Sequence, residues 1–133
     1  LGQIPRLEAQ LARREAICRR YEAAVRGVPG LSFPVVPQGA KSARHLFTIW
    51  VPRDKRDETL WKLQERGIGV AVNYRAIHLL SFYAARFGFK PGDFPNAERI
   101  GDSTITLPLY PSLTVAQVDR VIESVLDVAA AWS

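Results

Sequence analysis

The sequence contains one cysteine and no methionine, and both scarcities restrict what the protein can be. A disulfide-stapled scaffold needs cysteine pairs, so that class is excluded. Cys18 falls within a helical pattern, where a small buried or half-buried hydrophobic side chain is expected. Because the sequence begins at Leu1 and lacks methionine, we expect a processed or truncated part of a longer protein.

Long hydrophobic runs are missing as well. No apolar stretch approaches the ~18 residues of a membrane-spanning helix, and no signal peptide is visible, so a cytoplasmic protein is expected. The 133 residues, 47% of them hydrophobic, have the length and composition of one globular domain. We therefore predict a single domain over residues 1–133.

Lysine is scarce, although the net charge is +5, so most of the positive charge is carried by arginine. Arginine is suited to bidentate recognition of phosphate or carboxylate groups. The basic residues are scattered among acidic ones, so only the net charge favours a nucleic-acid-binding domain. That function is the third of three that we consider. Glycine-rich nucleotide motifs and zinc motifs are missing from the sequence.

Apolar residues follow helical and strand periodicities in turn. The patterns predict helices over 3–27, from about Asp54 to Arg66, over 77–87 and over 115–131, strands over 45–51, 68–73 and 104–107, and a Gly/Pro-rich loop over 88–97. This order predicts an α/β fold in which helices pack on a small sheet of about three strands, on one face of it. The N-terminal and C-terminal helices are the long ones.

Two local signals define helix ends. Thr114 and Gln117 have the spacing of a capping box at the start of the last helix. Gly67 follows the second helix at the position where a left-handed residue commonly ends a helix.

Polar side chains cluster after the second predicted strand, at Asn73, Tyr74, Arg75 and His78, with Tyr83 beyond. Loops at strand ends are frequent places for binding sites. Arg75 could hold a phosphate or carboxylate, and His78 could donate, accept or shuttle a proton. A polar loop with a capping histidine fits the composition equally well, so both interpretations stay open on the residues alone. His45 is interpreted as a half-buried histidine at a strand end.

Several segments, in this order, resemble the C-terminal part of the DegT/DnrJ-type sugar aminotransferases. They are Arg13-Arg14, Arg20-Tyr21, 43–47, 65–70, 73–78, Tyr83, 94–100 and 106–114. Within the family, the arrangement of Tyr74, Arg75, Ala76 and His78 is most similar to the enzymes that make 4-amino-4-deoxy-L-arabinose on a UDP carrier.

The resemblance implies the small C-terminal α/β domain of the aspartate-aminotransferase fold, without the large domain that binds pyridoxal phosphate. Such enzymes are homodimers that move an amino group from an amino acid, commonly glutamate, to a keto nucleotide-sugar. The pathway would be cell-envelope polysaccharide or lipid A modification. The Schiff-base lysine would lie upstream, because Lys41, Lys55, Lys62 and Lys90 have different contexts, so this chain alone is expected to be inactive.

By resemblance, Asn73, Tyr74, Arg75 and His78 contact the nucleotide-sugar, with Arg75 on a phosphate or sugar hydroxyl. No catalytic, cofactor-binding or metal-binding residue is expected in this chain. Many members have histidine where Asn73 stands, and an amide cannot titrate. Tyr83 is expected to pack. The alternative function is a stand-alone α/β ligand-binding or protein-interaction module without catalysis.

Overall fold

The computed structural model describes residue 2 and residues 4–132. Its α-helices are α1 (Leu7–Val25), α2 (Arg56–Glu65), α3 (Ser81–Phe87), α4 (Pro95–Ser103) and α5 (Val115–Ala130), and its strands are β1 (Phe47–Trp50) and β2 (Thr104–Leu107). Short 3-10 turns precede α1, α2 and α3, at Ile4–Arg6, Arg53–Lys55 and Ile77–Leu79. The predicted α/β class is confirmed.

The sheet consists of β1 and β2, which pair antiparallel over their whole four-residue lengths. One isolated bridge flanks each strand. Ser32 pairs with Trp50 beside β1, and Ala71 pairs with Thr106 beside β2. The β1–β2 ladder therefore joins the two halves of the chain.

The second predicted strand, over 68–73, is reduced to the single bridge at Ala71. The Ala71 N–H donates to the Thr106 carbonyl at 3.3 Å, and the Thr106 N–H donates to the Ala71 carbonyl at 2.7 Å. In this register Gly69 would face Pro108, which has no N–H to donate. Ile68 and Val70 are buried and Gly69 is exposed, as in a strand, but the ladder cannot extend in that direction.

The hydrophobic core lies between one face of the sheet and the helices α1, α2 and α5. Its buried side chains include Ile17, Cys18, Tyr21, Phe47, Ile49, Leu63, Ile105, Leu107, Val118, Val121, Val125 and Val128. The Tyr21 ring lies 5.1 Å from the Phe47 ring, and its hydroxyl donates to the Pro108 carbonyl at 2.9 Å. Cys18 is fully buried in this core, as predicted for a small hydrophobic side chain, and burial raises its pKa to about 11.

Helix α4 lies on the other face of the sheet. Phe47 and Ile49 of β1 are buried in the core, so strand alternation directs Trp50 to the opposite face. The Arg99 guanidinium of α4 lies 5.6 Å from the centroid of the Trp50 ring. The expectation that the helices cover one face is therefore wrong for α4.

Both predicted helix-end signals are confirmed. Gly67 has φ of +75°, its N–H donates to the Gln64 carbonyl, and the next N–H donates to the Leu63 carbonyl, which is the Schellman pattern. At α5, the Gln117 N–H donates to Thr114 Oγ1 at 3.2 Å, and the Thr114 N–H donates to Gln117 Oε1 at 2.9 Å.

Other boundaries differ from the prediction. Helix α4 begins at Pro95, inside the predicted 88–97 loop. The predicted 77–87 helix is divided by Leu80, whose ψ of 137° is extended. His45 lies before β1 and is exposed rather than half-buried. Residue 3, where the first helix was predicted to begin, lies outside the described residues.

Within the part of the chain that the structure describes, we find no helix with the length and apolarity to cross a membrane.

Replacing Thr114 with alanine is expected to lower the free energy of unfolding by about 1 kcal/mol, because the N-terminal N–H groups of α5 lose their side-chain acceptor. Urea denaturation measures the change. Thr114→Ser keeps the acceptor and should remain close to wild type. Equal stability of Thr114→Ala and wild type would contradict the role of the capping box.

Candidate functional site

Three of the four predicted site residues lie at one cleft of about 410 Å³. Tyr74 and Arg75 are exposed at its rim, and His78 is buried at its base. Asn73 is half-buried and precedes this rim. The remaining lining residues are Ala76, Ile77, Tyr83, Phe89, Phe94, Ala97 and Ile100. Tyr83 was expected to pack, and it does lie against Phe82 and Phe87 while also lining the cleft.

His78 is held by a carboxylate from α4. Its Nε2 lies 3.0 Å from Glu98 Oε1, and the Gly92 N–H donates to the same oxygen at 2.8 Å. These donors hold the pKa of Glu98 below its usual value, the Gly92 N–H more strongly than His78, against the opposing effect of burial. Glu98 is therefore the ionised acceptor that joins the histidine to the loop before α4.

The His78 ring is also enclosed by aromatic side chains. Its edge meets the Phe94 ring at a centroid distance of 4.9 Å and the Phe89 ring at 6.3 Å. The side chain is only 6% exposed. Little of His78 is thus available to a ligand in the cleft.

Gly101 allows α4 to approach the backbone of the loop that carries Arg75. A Cβ at this position would lie 2.6 Å from the Ala76 nitrogen and 3.1 Å from the Arg75 carbonyl carbon. Real Cβ contacts essentially never reach the shorter distance. Glycine is required here by the close packing of two backbone segments.

Arg75 is a cation without a carboxylate partner among the described residues. Some of the other arginines pair with acidic groups, as Arg44 does with Glu15 and Glu22 and Arg66 with Asp127. Arg75 instead extends at the cleft rim beside Tyr74. Its guanidinium is free to bind a phosphate or carboxylate through two parallel hydrogen bonds.

The residues around the cleft do not fit pyridoxal phosphate. A Schiff-base site needs a lysine, and no lysine lines this cleft. Lys62 is paired with Glu58 on α2, and Lys41 lies near Glu8 of α1. We also find no cluster of metal-ligating side chains within the described ranges.

An exposed apolar surface adjoins the cleft. It comprises Ile77, Leu80, Phe82, Tyr83 and Phe87, and we refer to this set as the apolar surface. Phe82 is 69% exposed and Phe87 is 59% exposed. Contiguous exposed side chains of this kind commonly mark an interaction surface.

Sequence reasoning missed Phe89, Glu98 and Gly101 as parts of the site. The available signal was Pro95, since proline is favoured at the first position of a helix. A helix begun there places Glu98 and Gly101 three residues apart on one side of α4.

The model of the DegT/DnrJ/EryC1/StrS aminotransferase family matches residues 1–126. The chain is 39% identical to the spore coat polysaccharide biosynthesis protein SpsC of Bacillus subtilis, and the match covers 96% of this chain and 34% of SpsC. The chain thus spans about a third of the length of this relative.

Solved structures agree with this match. The aminotransferase TlmJ from Streptoalloteichus hindustanus superposes with a TM-score of 0.89 at 31% identity, over 99% of this chain and 35% of TlmJ. Spr1654 from Streptococcus pneumoniae, described as a sugar aminotransferase in its PLP form, gives a TM-score of 0.89 at 29% identity, over 98% of this chain and 34% of its own.

Gly101→Ala is expected to lower the free energy of unfolding by about 1–3 kcal/mol, because the new methyl group must displace backbone atoms. Gly69→Ala is the matched control, since a Cβ there meets nothing within 4 Å. Urea denaturation of both variants measures the difference. A Gly101→Ala variant as stable as Gly69→Ala would show that α4 can move away without penalty.

Proposed function

The chain belongs to the DegT/DnrJ/EryC1/StrS aminotransferase family, and from this we propose that it is the small C-terminal domain of a pyridoxal-phosphate-dependent sugar aminotransferase. The whole protein would transfer an amino group from an amino acid, with glutamate as the proposed donor, to the keto group of a nucleotide-sugar. The chain spans about a third of its relatives' length, which supports a further domain in the whole protein. A cytoplasmic location is part of the same proposal.

The cofactor is proposed to bind the large domain. When bound, pyridoxal phosphate supplies the electron sink that transamination requires. The chemistry of the described residues supports this division, because the cleft offers aromatic rings, an arginine and a buried histidine but no lysine. This domain would then bind and orient the substrate.

The observation that carries the substrate assignment is the unpaired Arg75 at the rim of an aromatic cleft. A nucleotide-sugar presents phosphate groups for the guanidinium and a flat base for aromatic side chains. Tyr74, which is 67% exposed, is available for such contact. The sequence pattern adds Asn73 and His78 to the proposed binding residues, and His78, which is largely covered by its neighbours, would act through the loop that carries Arg75.

The finer identity of the sugar is proposed from the sequence pattern. The arrangement of Tyr74, Arg75 and His78 supports a UDP-linked 4-keto-pentose as the first substrate to test, as in lipid A modification. The relative SpsC is a spore coat polysaccharide biosynthesis protein, which supports envelope polysaccharide sugars more broadly.

The apolar surface supports two partners for this domain. We propose that the large domain of the same protein covers part of it and that a second subunit of a homodimer covers the rest. An exposed set of aromatic side chains such as Phe82 and Phe87 is unfavourable in water unless it is covered.

Arg75→Ala in the full-length protein is expected to raise KM for the keto nucleotide-sugar about 10- to 100-fold, the range set by loss of hydrogen bonds to a charged group. The measurement is amino transfer from glutamate, followed as 2-oxoglutarate formation. Arg75→Lys should recover only part of the loss, because an ammonium group lacks the bidentate geometry.

Arg86→Ala is the matched control, since Arg86 is an exposed arginine on α3 that does not line the cleft. It should leave KM unchanged. An Arg75→Ala enzyme with wild-type KM would refute the phosphate role of Arg75. A full-length protein without any amino transfer would refute the proposed function.

The 133-residue chain produced by itself is expected to self-associate, because the apolar surface would be left uncovered. Light scattering after size-exclusion chromatography should give a mass above the 14.9 kDa monomer. Changing both Phe82 and Phe87 to serine should restore the monomer. Trp61→Ser, at a 65% exposed position on α2, is the control and should not. A monomer at every concentration would contradict the prediction.

A further inference from the structure

We propose that His78 and Glu98 are positioning residues, which together hold the substrate-contacting segment 73–76 against α4. The inference deepens the proposed function and depends on it. It assigns His78 an action through the segment, whereas the sequence pattern had placed it in direct contact with the substrate. We call the His78–Glu98 contact, with the Gly92 N–H that shares it, the clamp.

The burial of His78 supports a positioning role. Its side chain is 6% exposed, and its Nε2 is occupied by the Glu98 carboxylate at 3.0 Å. Phe94 and Phe89 cover the ring. A side chain enclosed in this way can fix its own backbone more readily than it can reach a ligand.

The backbone connects the clamp to the substrate segment. His78 lies in the 3-10 turn Ile77–Leu79, where the Leu79 N–H donates to the Ala76 carbonyl at 3.1 Å. Ala76 is directly bonded to Arg75. Fixing His78 therefore restricts the chain two residues before it and, through Ala76, the direction in which Arg75 leaves the backbone.

A second contact holds the same segment from the same helix. Gly101 packs against the backbone of Ala76 and Arg75, since a Cβ added at Gly101 would lie only 2.6 Å from the Ala76 nitrogen. Glu98 and Gly101 lie one turn apart on α4. The segment is thus held at two points, one polar and one by backbone packing.

Helix α4 is itself fixed to the sheet, which makes it a suitable frame. The Val51 N–H donates to the Ser103 carbonyl at 3.0 Å, and Arg53 pairs with Asp102 at 2.9 Å. Movement of the clamp relative to β1 would have to break these contacts.

The test uses the full-length protein with His78→Ala, Glu98→Ala and the double variant. Each single variant is expected to raise KM for the nucleotide-sugar about tenfold with a smaller change in kcat, because a misplaced segment weakens binding. The double variant should be no worse than either single variant, since both remove one shared contact.

Conservative replacement separates positioning from proton transfer. Glu98→Gln keeps an oxygen that can accept from both Gly92 and His78, so its KM and its pH profile should remain near wild type. Thr114→Ala is the control for a general loss of stability, and it should leave KM unchanged. If His78→Ala does not fold, His78→Gln retains a donor toward Glu98 and should recover wild-type KM.

Amide hydrogen exchange on the same variants gives a readout independent of turnover. Peptides covering residues 74–83 are expected to exchange about tenfold faster in His78→Ala and Glu98→Ala, because local opening becomes easier. Thr114→Ala should leave these peptides unchanged.

The outcomes test the clamp and the proposed function separately. An active enzyme in which both variants keep wild-type KM and exchange overturns the clamp and leaves the proposed function standing. Loss of kcat at unchanged KM also overturns it, since His78 would then act on the reacting atoms. A wild-type protein without amino transfer refutes the proposed function and the substrate role with it, and unchanged exchange would refute the clamp separately.

Discussion

The antiparallel pairing of β1 with β2 is the constraint on which the rest of the structure depends. One face of this short ladder supports the core of α1, α2 and α5, and the other supports α4. Helix α4 ends at Ser103 and β2 begins at Thr104, so the strand fixes where the helix points. The loop after Ala71, which bridges β2, is placed between the strand edge and α4. The cleft, whose lining residues lie outside the hydrophobic core cluster, is therefore positioned by backbone hydrogen bonds in the sheet.

That placement divides one short loop into two parts with different physical roles. Ala76 and His78 face α4 and are buried, whereas Tyr74 and Arg75 are exposed to a ligand. A free guanidinium gains most from a phosphate if its backbone is already fixed, because less conformational entropy is lost on binding. Burial in one half of the loop is thus the condition for recognition by the other half.

The sequence predicted those features whose causes are local. Periodicity located the long helices and both strands, and cap chemistry located Gly67 and Thr114. The prediction of a strand over 68–73 was wrong because its ladder would have to pair with Pro108, a residue nearly forty positions away. Helix α4 was not predicted from the sequence because Pro95 was assigned to a loop, although proline is also favoured at the start of a helix. In the site, Arg75 could be singled out by residue type alone. The partner of His78 could not, since Glu98 meets it only through the tertiary fold.

The single bridges beside the strands have a consequence for assembly. In the register set by Ser32 and Trp50, Pro34 stands opposite Thr48, and on the other side Pro108 stands opposite Gly69. Each flanking segment pairs with its strand at one bridge, and a proline stands where a longer ladder would need another N–H. A sheet bordered in this way is a poor template for strand addition, in which an exposed edge strand pairs with another polypeptide and leads to aggregation. Contacts with other polypeptides must then be made by side chains, which can select their partner.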